Sequence, residues 1–402
     1  MINPGAGNPA EVPLAVLTIF ASAKLLREVF ERLKQPGIIG EIVAGAIIGP
    51  HVLGWIHPNE VLSVLSELGV MFLLFLIGLE VKPSDLLRVG GVSVAVATCG
   101  AIVPFALVGG IALAWGMPLR EAVFVGAAMV ATSVAITAEV LASRGLLSAR
   151  ASRVILAAAV VDDVIGLIAL ALVSSYARGE VNWTDLIVTT VLASGFTVFV
   201  AVWGHRAVRR IVPKMEARMR VSEAQFTLSM ALLFGLSLLA VYAGVAAIIG
   251  AFLAGMALSE TVDERVHAMT SGVSELLVPF FLAGIGMQFD PAVFASGSAL
   301  LLSAILLVAA VFSKLAGCGL AAFRLGRKDA VRIGVGMAPR GEVGMVVAQL
   351  GRKMGVMSDS VYAIIVFLSI ATTLVAPPMI KAAFRGVRPE LTDSDEVLTP
   401  LG

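Results

Sequence analysis

The chain reads as an all-α polytopic membrane protein of 13 transmembrane helices. Three observations predict this class. Its mean hydropathy is +0.97. Hydrophobic residues make up 58% and charged residues 14% of 402 positions, which excludes a single soluble core. Apolar stretches of spanning length recur from end to end.

Hydropathy and breaker residues place the spans near 12–33, 37–53, 61–81, 91–115, 120–143, 152–176, 184–204, 222–242, 244–259, 272–289, 297–323, 329–351 and 359–384. The first four are apolar over most of their length, with Lys24, Arg27 and Arg32 toward the end of span 1 and Glu80 at the end of span 3. Span 5 holds Thr132, Ser133 and Thr137 at mid-membrane, and span 6 holds the adjacent acids Asp162 and Asp163. Span 7 leads into a basic loop and reads as a connector. Spans 8 to 10 are again apolar, span 11 contains Lys314, span 12 contains Pro339, Arg340, Gly341 and Glu342, and span 13 closes the hydrophobic region. The amino terminus lacks the features of a cleaved signal and is expected to be mature. Cys99 and Cys318 both fall in apolar segments, so neither a disulfide nor a cysteine metal site is expected.

The formal charge of +1 excludes nothing, but its distribution sets an orientation. With the amino terminus outside, 22 of the 29 Lys and Arg residues fall on the inner side, and only Arg120, Arg178, Arg352 and Lys353 on the outer. The positive-inside rule therefore predicts an external amino terminus, a cytoplasmic carboxyl terminus and an odd number of spans in an inner (plasma) membrane.

The sequence also repeats. A shift of 208 residues lays S66-E-L-G-V-M-F-L-L-F-L-I-G-L-E-V-K-P83 on S274-E-L-L-V-P-F-F-L-A-G-I-G-M-Q-F-D-P291, and R120-E-A-V-F-V-G-A-A-M-V on K328-D-A-V-R-I-G-V-G-M-A. The expected organisation is a first repeat over 12–176, a connector over 177–221, a second repeat over 222–384 and a short cytoplasmic tail over 385–402. Seven spans separate equivalent helices, so the two six-helix repeats are predicted to be inverted in the membrane, the architecture of secondary transporters. Proline and glycine predict an interruption of span 12 near residues 338–344, and the repeat extends that prediction to span 5 near 131–139, giving crossed discontinuous helices. For span 5 the alternative is that its hydroxyls bond back to the preceding turn.

Asp162 and Asp163 lie near the bilayer centre, where an ionised carboxylate is costly and usually marks an ion or proton path. Adjacent residues are about 100° apart around a helix, so the two acids cannot address one partner. Lys314 is too deep in its span to be left unpaired, and a buried acid is its natural partner. Burial disfavours the charged form of a carboxylate and a nearby cation favours it, which lets one group accept either a proton or a metal cation.

In chain order, F75-L-I-G-L-E-V, A131-T-S-x-x-I-T, V160-V-D-D-V-I-G-L, V311-F-S-K-L-A-G and G336-M-A-P-R-G-E-V-G resemble the cation/proton antiporter superfamily, specifically its bacterial sodium/proton branch with a two-aspartate motif. The resemblance covers residues 12 to 385. It implies a homodimer in which a six-helix core slides against a dimerisation domain. It also implies that Asp163 is the ion and proton carboxylate and Asp162 the partner of Lys314, whose own proton would make exchange electrogenic. Thr132 and Ser133 are the expected additional oxygen ligands of sodium, while Arg340 and Glu342 in the span 12 break are expected to neutralise each other or the local helix dipoles, as a structural pair rather than direct ligands. The transported species would be Na+ (or Li+) and H+, with no cofactor and no enzymatic activity. The expected partners are these cations, the lipid bilayer and a second copy of the chain, with no nucleic acid.

Other residues carry less. Glu80 and Glu139 lie near cytoplasmic helix ends, as a cation-attracting funnel or as interfacial anchors. His51, His57, His205 and His267 sit near span ends and do not form a metal set. Three alternatives share part of this pattern. A potassium/proton exchanger of the same superfamily shares the fold, but its glutathione-gated members resemble a chain with glutamine at the Asp162 position and a long nucleotide-binding domain. An intramembrane aspartyl protease needs aspartates facing each other from separate helices. A bile-acid-type sodium symporter normally has fewer spans and no adjacent aspartate pair.

Overall fold

A computed structural model describes residues 10–81, 90–178, 183–216, 223–291 and 296–387. Among these residues the chain forms sixteen α-helices and no β-strand. They are α1 (Glu11–Arg32), α2 (Gly37–Ile48), α3 (Glu60–Glu80), α4 (Gly90–Ala114), α5 (Leu119–Ala128), α6 (Val134–Ala142), α7 (Arg150–Arg178) and α8 (Trp183–Phe199), followed by α9 (His205–Glu216), α10 (Ala224–Tyr242), α11 (Ala247–Leu258), α12 (Glu264–Met287), α13 (Gly297–Ala321), α14 (Arg327–Gly336), α15 (Glu342–Lys353) and α16 (Asp359–Ala383). Seven of the described helical stretches are long and apolar enough to cross a membrane.

Several elements differ from the sequence expectation for identifiable reasons. The expected span 37–53 is helical only over Gly37–Ile48, and 244–259 only over Ala247–Leu258. Twelve residues rise about 18 Å, well short of the roughly 30 Å hydrocarbon layer. Hydropathy counted Val52 and Leu53 as helical although they follow the turn at Gly49. The expected start at 272 is instead Glu264, because the first turns of α12 are polar and invisible to hydropathy. The connector runs as one helical rod from α8 to α9 through a π-turn at Val200–Gly204.

The rods sort into two bundles. One contains α1, α2, α3, α10, α11 and α12; the other contains α4 to α7 and α13 to α16, with α3 against α6 and α2 against α16 across the seam. The rod of α8 and α9 leans on α7 of the second bundle and on α11 of the first.

Packing repeats with the sequence. The span of α5 lies 208 residues before that of α14, and the span of α2 lies 210 before that of α11. Contacts recur at the same offsets: a Cβ on Gly40 would lie 2.4 Å from the Leu26 carbonyl oxygen, and one on Gly250 would lie 2.4 Å from that of Leu236. Likewise Gly78 faces the Phe252 carbonyl at 2.3 Å, and Gly286 faces that of Ile42 at 1.9 Å. Backbones this close admit only glycine, which makes these crossings fixed points in the first bundle.

Both expected interruptions are present. Helix α5 stops at Ala128 and α6 begins at Val134; α14 stops at Gly336 and α15 begins at Glu342. Met129 and Met337 end their half-helices with the same backbone angles, φ −92° and ψ 3°. Pro339 lacks an amide donor and disfavours helix in the residue before it, which explains the second break. The first has neither proline nor glycine. There tertiary acceptors draw the backbone out of the helix: the Thr132 amide donates to Asp162 Oδ2 at 2.7 Å, and the Ser133 amide donates to the Pro339 carbonyl at 2.9 Å.

The glycine crossings yield a stability prediction. Gly45 faces the Ala283 carbonyl at 2.0 Å from a built Cβ, whereas Gly110 meets nothing within 4 Å. Gly45→Val should cost about 1–3 kcal/mol or more through overpacking. Thermal unfolding in detergent should show a lowered Tm for Gly45→Val and a near-normal one for Gly110→Val.

Candidate functional site

The two breaks touch at the centre of the second bundle, beside the middle of α7. Besides the Ser133 amide bond, the Thr137 hydroxyl donates to the Gly336 carbonyl at 2.7 Å and the Thr132 hydroxyl to the Met337 carbonyl at 3.4 Å. The carbonyls that end α14 are thus met by neutral groups of α6 and its approach.

Those just past the end of α5 are met by cations. The Arg340 guanidinium donates through Nη1 to the Met129, Val130 and Ala131 carbonyls and through Nη2 to that of Ala310. Lys314 Nζ donates to the Val130 carbonyl at 2.8 Å and lies 3.4 Å from Asp162 Oδ1. Lys314 and Asp162 are fully buried and Arg340 is 1% exposed. Terminal helix carbonyls carry partial negative charge, so two buried cations there complement the half-helix end. The Arg340 backbone is itself held, its amide donating to Thr372 Oγ1 at 3.1 Å and its carbonyl accepting from Thr373 Oγ1 at 2.9 Å.

The two aspartates part company as helical geometry requires. Asp162 points into the second bundle, between Lys314 and Thr132. Asp163 points to the seam, where one recess places it with Ser133, Gly341, Ile248 and Phe281, and another with Leu74, Ile249 and Phe252. It is 8% exposed. Ser133, Gly341, Ile248 and Phe281 also line a cavity of about 730 Å³ that reaches Pro58 and Leu62 at the start of α3. The cavity therefore comes up to the recess that holds Asp163, sharing these four residues with it, without being lined by Asp163 itself. Near the opposite end of the seam a cavity of about 180 Å³ is lined by Arg27, Glu31 and Glu139.

Each sequence-selected residue can now be placed. Asp162, Asp163, Lys314, Thr132, Ser133 and Arg340 converge around the breaks. Glu342 opens α15, and its side chain lies outside the described residues. The expected pairing of Arg340 with Glu342 lies outside the described residues; the Arg340 guanidinium itself reaches four carbonyls, three of them at the break after α5. Glu80 lies 3.7 Å from His267, and His51 lies 3.7 Å from Asp290, both at helix ends. Sequence reasoning missed Thr372 and Thr373, as well as the apolar wall of Leu74, Ile249 and Phe252.

The family model for the sodium/hydrogen exchanger, transmembrane, matches residues 16–386. The chain belongs to the sodium/hydrogen exchanger family. It is 34% identical to the high-affinity Na+/H+ antiporter NhaS3 of Synechocystis sp. (strain ATCC 27184 / PCC 6803 / Kazusa), over 97% of this chain and 94% of that one. It is 36% identical to the Na+/H+-K+ antiporter GerN of Bacillus cereus, over 92% and 95%. The fold matches the sodium proton antiporter MjNhaP1 from Methanocaldococcus jannaschii with a TM-score of 0.66 at 18% identity, covering 93% of this chain and 99% of that one. The sodium/hydrogen exchanger family is one of multi-pass membrane cation/proton antiporters, transporters rather than enzymes. An aspartyl protease would in addition need its aspartates on separate helices, whereas Asp162 and Asp163 are adjacent on α7.

The buried pair gives a testable consequence. Lys314→Met leaves Asp162 without its cation and should cost about 3–5 kcal/mol, while Asp162→Asn with Lys314→Met removes both charges and should recover much of the loss. Detergent Tm values for the single and double variants check this; a double variant no more stable than Lys314→Met contradicts it.

Proposed function

We propose that this chain is a sodium/proton antiporter in which Asp163 carries either a proton or Na+ (or Li+) across the seam. The observation that carries the reading is the division of labour on α7: Asp162 is engaged by Lys314 and Thr132, while Asp163 lies in the recess that the cavity reaches. A hard cation prefers oxygen, and the Asp163 carboxylate with Ser133 and the backbone around the breaks offers it. Thr132 contributes through its backbone, its amide fixing Asp162. A proton and sodium compete for one carboxylate, so exchange follows from mutual exclusion.

Alternating access then needs the Asp163 bundle to move against the other. The recurring offsets and contacts support two repeats of inverted orientation, an organisation suited to presenting one site to either side. Few elements cross the seam, and the first bundle is locked by its glycine crossings, which supports a rigid scaffold beside a moving, elevator-type carrier. The apolar wall of Leu74, Ile249 and Phe252 would bar a hydrated ion between the two end states. Exposed Leu17, Leu25 and Tyr242 give the first bundle apolar outer faces for lipid or for a second copy, consistent with a homodimer. The charge asymmetry supports an external amino terminus and a cytoplasmic carboxyl terminus in the inner membrane. Sodium drawing Asp162 from Lys314 would release the lysine proton and make exchange electrogenic.

Potassium/proton exchange is the second reading, favoured by the similarity to GerN. Proton flux in sealed proteoliposomes, with sodium, lithium and potassium added in turn, separates the two. Asp163→Asn should abolish cation-driven flux, and retained sodium-driven flux in that variant would refute the assignment. Competition also predicts that the apparent KM for sodium rises about tenfold for each unit by which pH falls where the carboxylate is mainly protonated, with little change in maximal rate. An invariant KM across that range contradicts a shared site. Lys314→Ala should give electroneutral exchange, read from the response of flux to an imposed membrane potential.

A further inference from the structure

The contacts of Arg340 have a counterpart in the first repeat. The Thr132 amide donates to Asp162 Oδ2 at 2.7 Å, and the Arg340 amide donates to Thr372 Oγ1 at 3.1 Å. Thr132 and Arg340 are 208 residues apart, while Asp162 and Thr372 are 210 apart. The same pair of offsets recurs between α4 and α13 and their neighbours: Gly126 faces the Phe105 carbonyl, and Gly334, 208 residues on, faces that of Leu315, 210 residues on. Thr372 therefore stands in the second repeat where Asp162 stands in the first, and Thr373 where Asp163 stands. V160-V-D-D-V aligns with I370-A-T-T-L.

The substitution of hydroxyls for carboxylates has a chemical reason. Arg340 presents an amide donor and a carbonyl acceptor to α16. Thr372 accepts from the amide while donating its own hydrogen to the Leu368 carbonyl at 2.8 Å, and Thr373 donates to the Arg340 carbonyl at 2.9 Å. An ionised carboxylate at position 373 could accept but not donate. Both threonines are 1% exposed, so each bond is made without competition from water.

We propose that Thr372 and Thr373 are positioning residues of the ion site. They act through Arg340, a conclusion that rests on the antiport reading above. With its backbone pinned on both sides, Arg340 sets its guanidinium on Met129, Val130 and Ala131. The Val130 carbonyl is the same oxygen that receives Lys314, and Thr132, two residues on, supplies the amide that holds Asp162. The path from the hydroxyl pair to the Asp162–Lys314 pair thus passes through one side chain and one break.

The test compares Thr372→Val, Thr373→Val, Thr372→Ser and Thr373→Ser with wild type and Asp163→Asn in proteoliposomes, reading sodium KM, maximal rate and pH profile, with Tm in detergent. Valine keeps the shape and removes the hydroxyl, leaving a buried backbone group unpaired. The valine variants should raise the apparent KM for sodium about tenfold and displace the pH profile, and the serine variants should restore both. Two results overturn the proposal: valine variants with wild-type KM and pH profile, or serine variants as impaired as valine ones, which would make the methyl group's packing the operative feature. Asp163→Asn keeps the two readings separate, since sodium-driven flux in that variant removes the carrier assignment whatever the threonines do.

Discussion

The carbonyl oxygens of Met129, Val130 and Ala131, just past the end of α5, impose the constraint on which the site depends. A helix that ends at mid-membrane leaves acceptors with no intrahelical donor and no bulk water to supply one. Met129, Val130 and Ala131 receive Arg340, and Val130 also receives Lys314. Two cations are thereby fixed at the centre of the second bundle. Asp162 balances one of them, which is why an acid is tolerated there and why its neighbour is left to a different task.

The two breaks are unlike in chemistry although alike in backbone. The end of α14 is met by the hydroxyls of Thr132 and Thr137 and the amide of Ser133, the end of α5 by a lysine and an arginine. A duplicated frame has been given charge on one side and hydroxyls on the other. Asp163 lies on the seam beside these breaks, facing an apolar wall contributed by the other bundle.

Much of this was legible in the sequence, and the reasons are physical. Charged residues in apolar helices stand out because their burial is expensive, so Asp162, Asp163, Lys314 and Arg340 were visible at once. The second break announced itself through Pro339 and Gly341. The first did not, since Ala131, Thr132 and Ser133 contain no breaker, and only the 208-residue shift revealed it. What stayed hidden depends on contacts between distant segments. Arg340 was legible as a buried charge at the break, but which carbonyls it reaches is a property of where α5 ends, which no side-chain pattern records. Thr372 and Thr373 looked like ordinary hydroxyls until their offset of 210 from the aspartates was set beside the bonds they make. Helix lengths were overestimated for α2 and α11 because apolar loop residues extend the hydropathy signal beyond the hydrogen-bonded turns.

The claim at the centre is that one carboxylate, Asp163, accepts a proton or a sodium ion but never both. Titrating purified protein with sodium chloride in weakly buffered detergent measures this directly as protons released per sodium bound. The wild type should acidify the medium on sodium addition at a pH where the site is protonated, and Asp163→Asn should release no protons. Equal proton release from the two proteins would contradict the account.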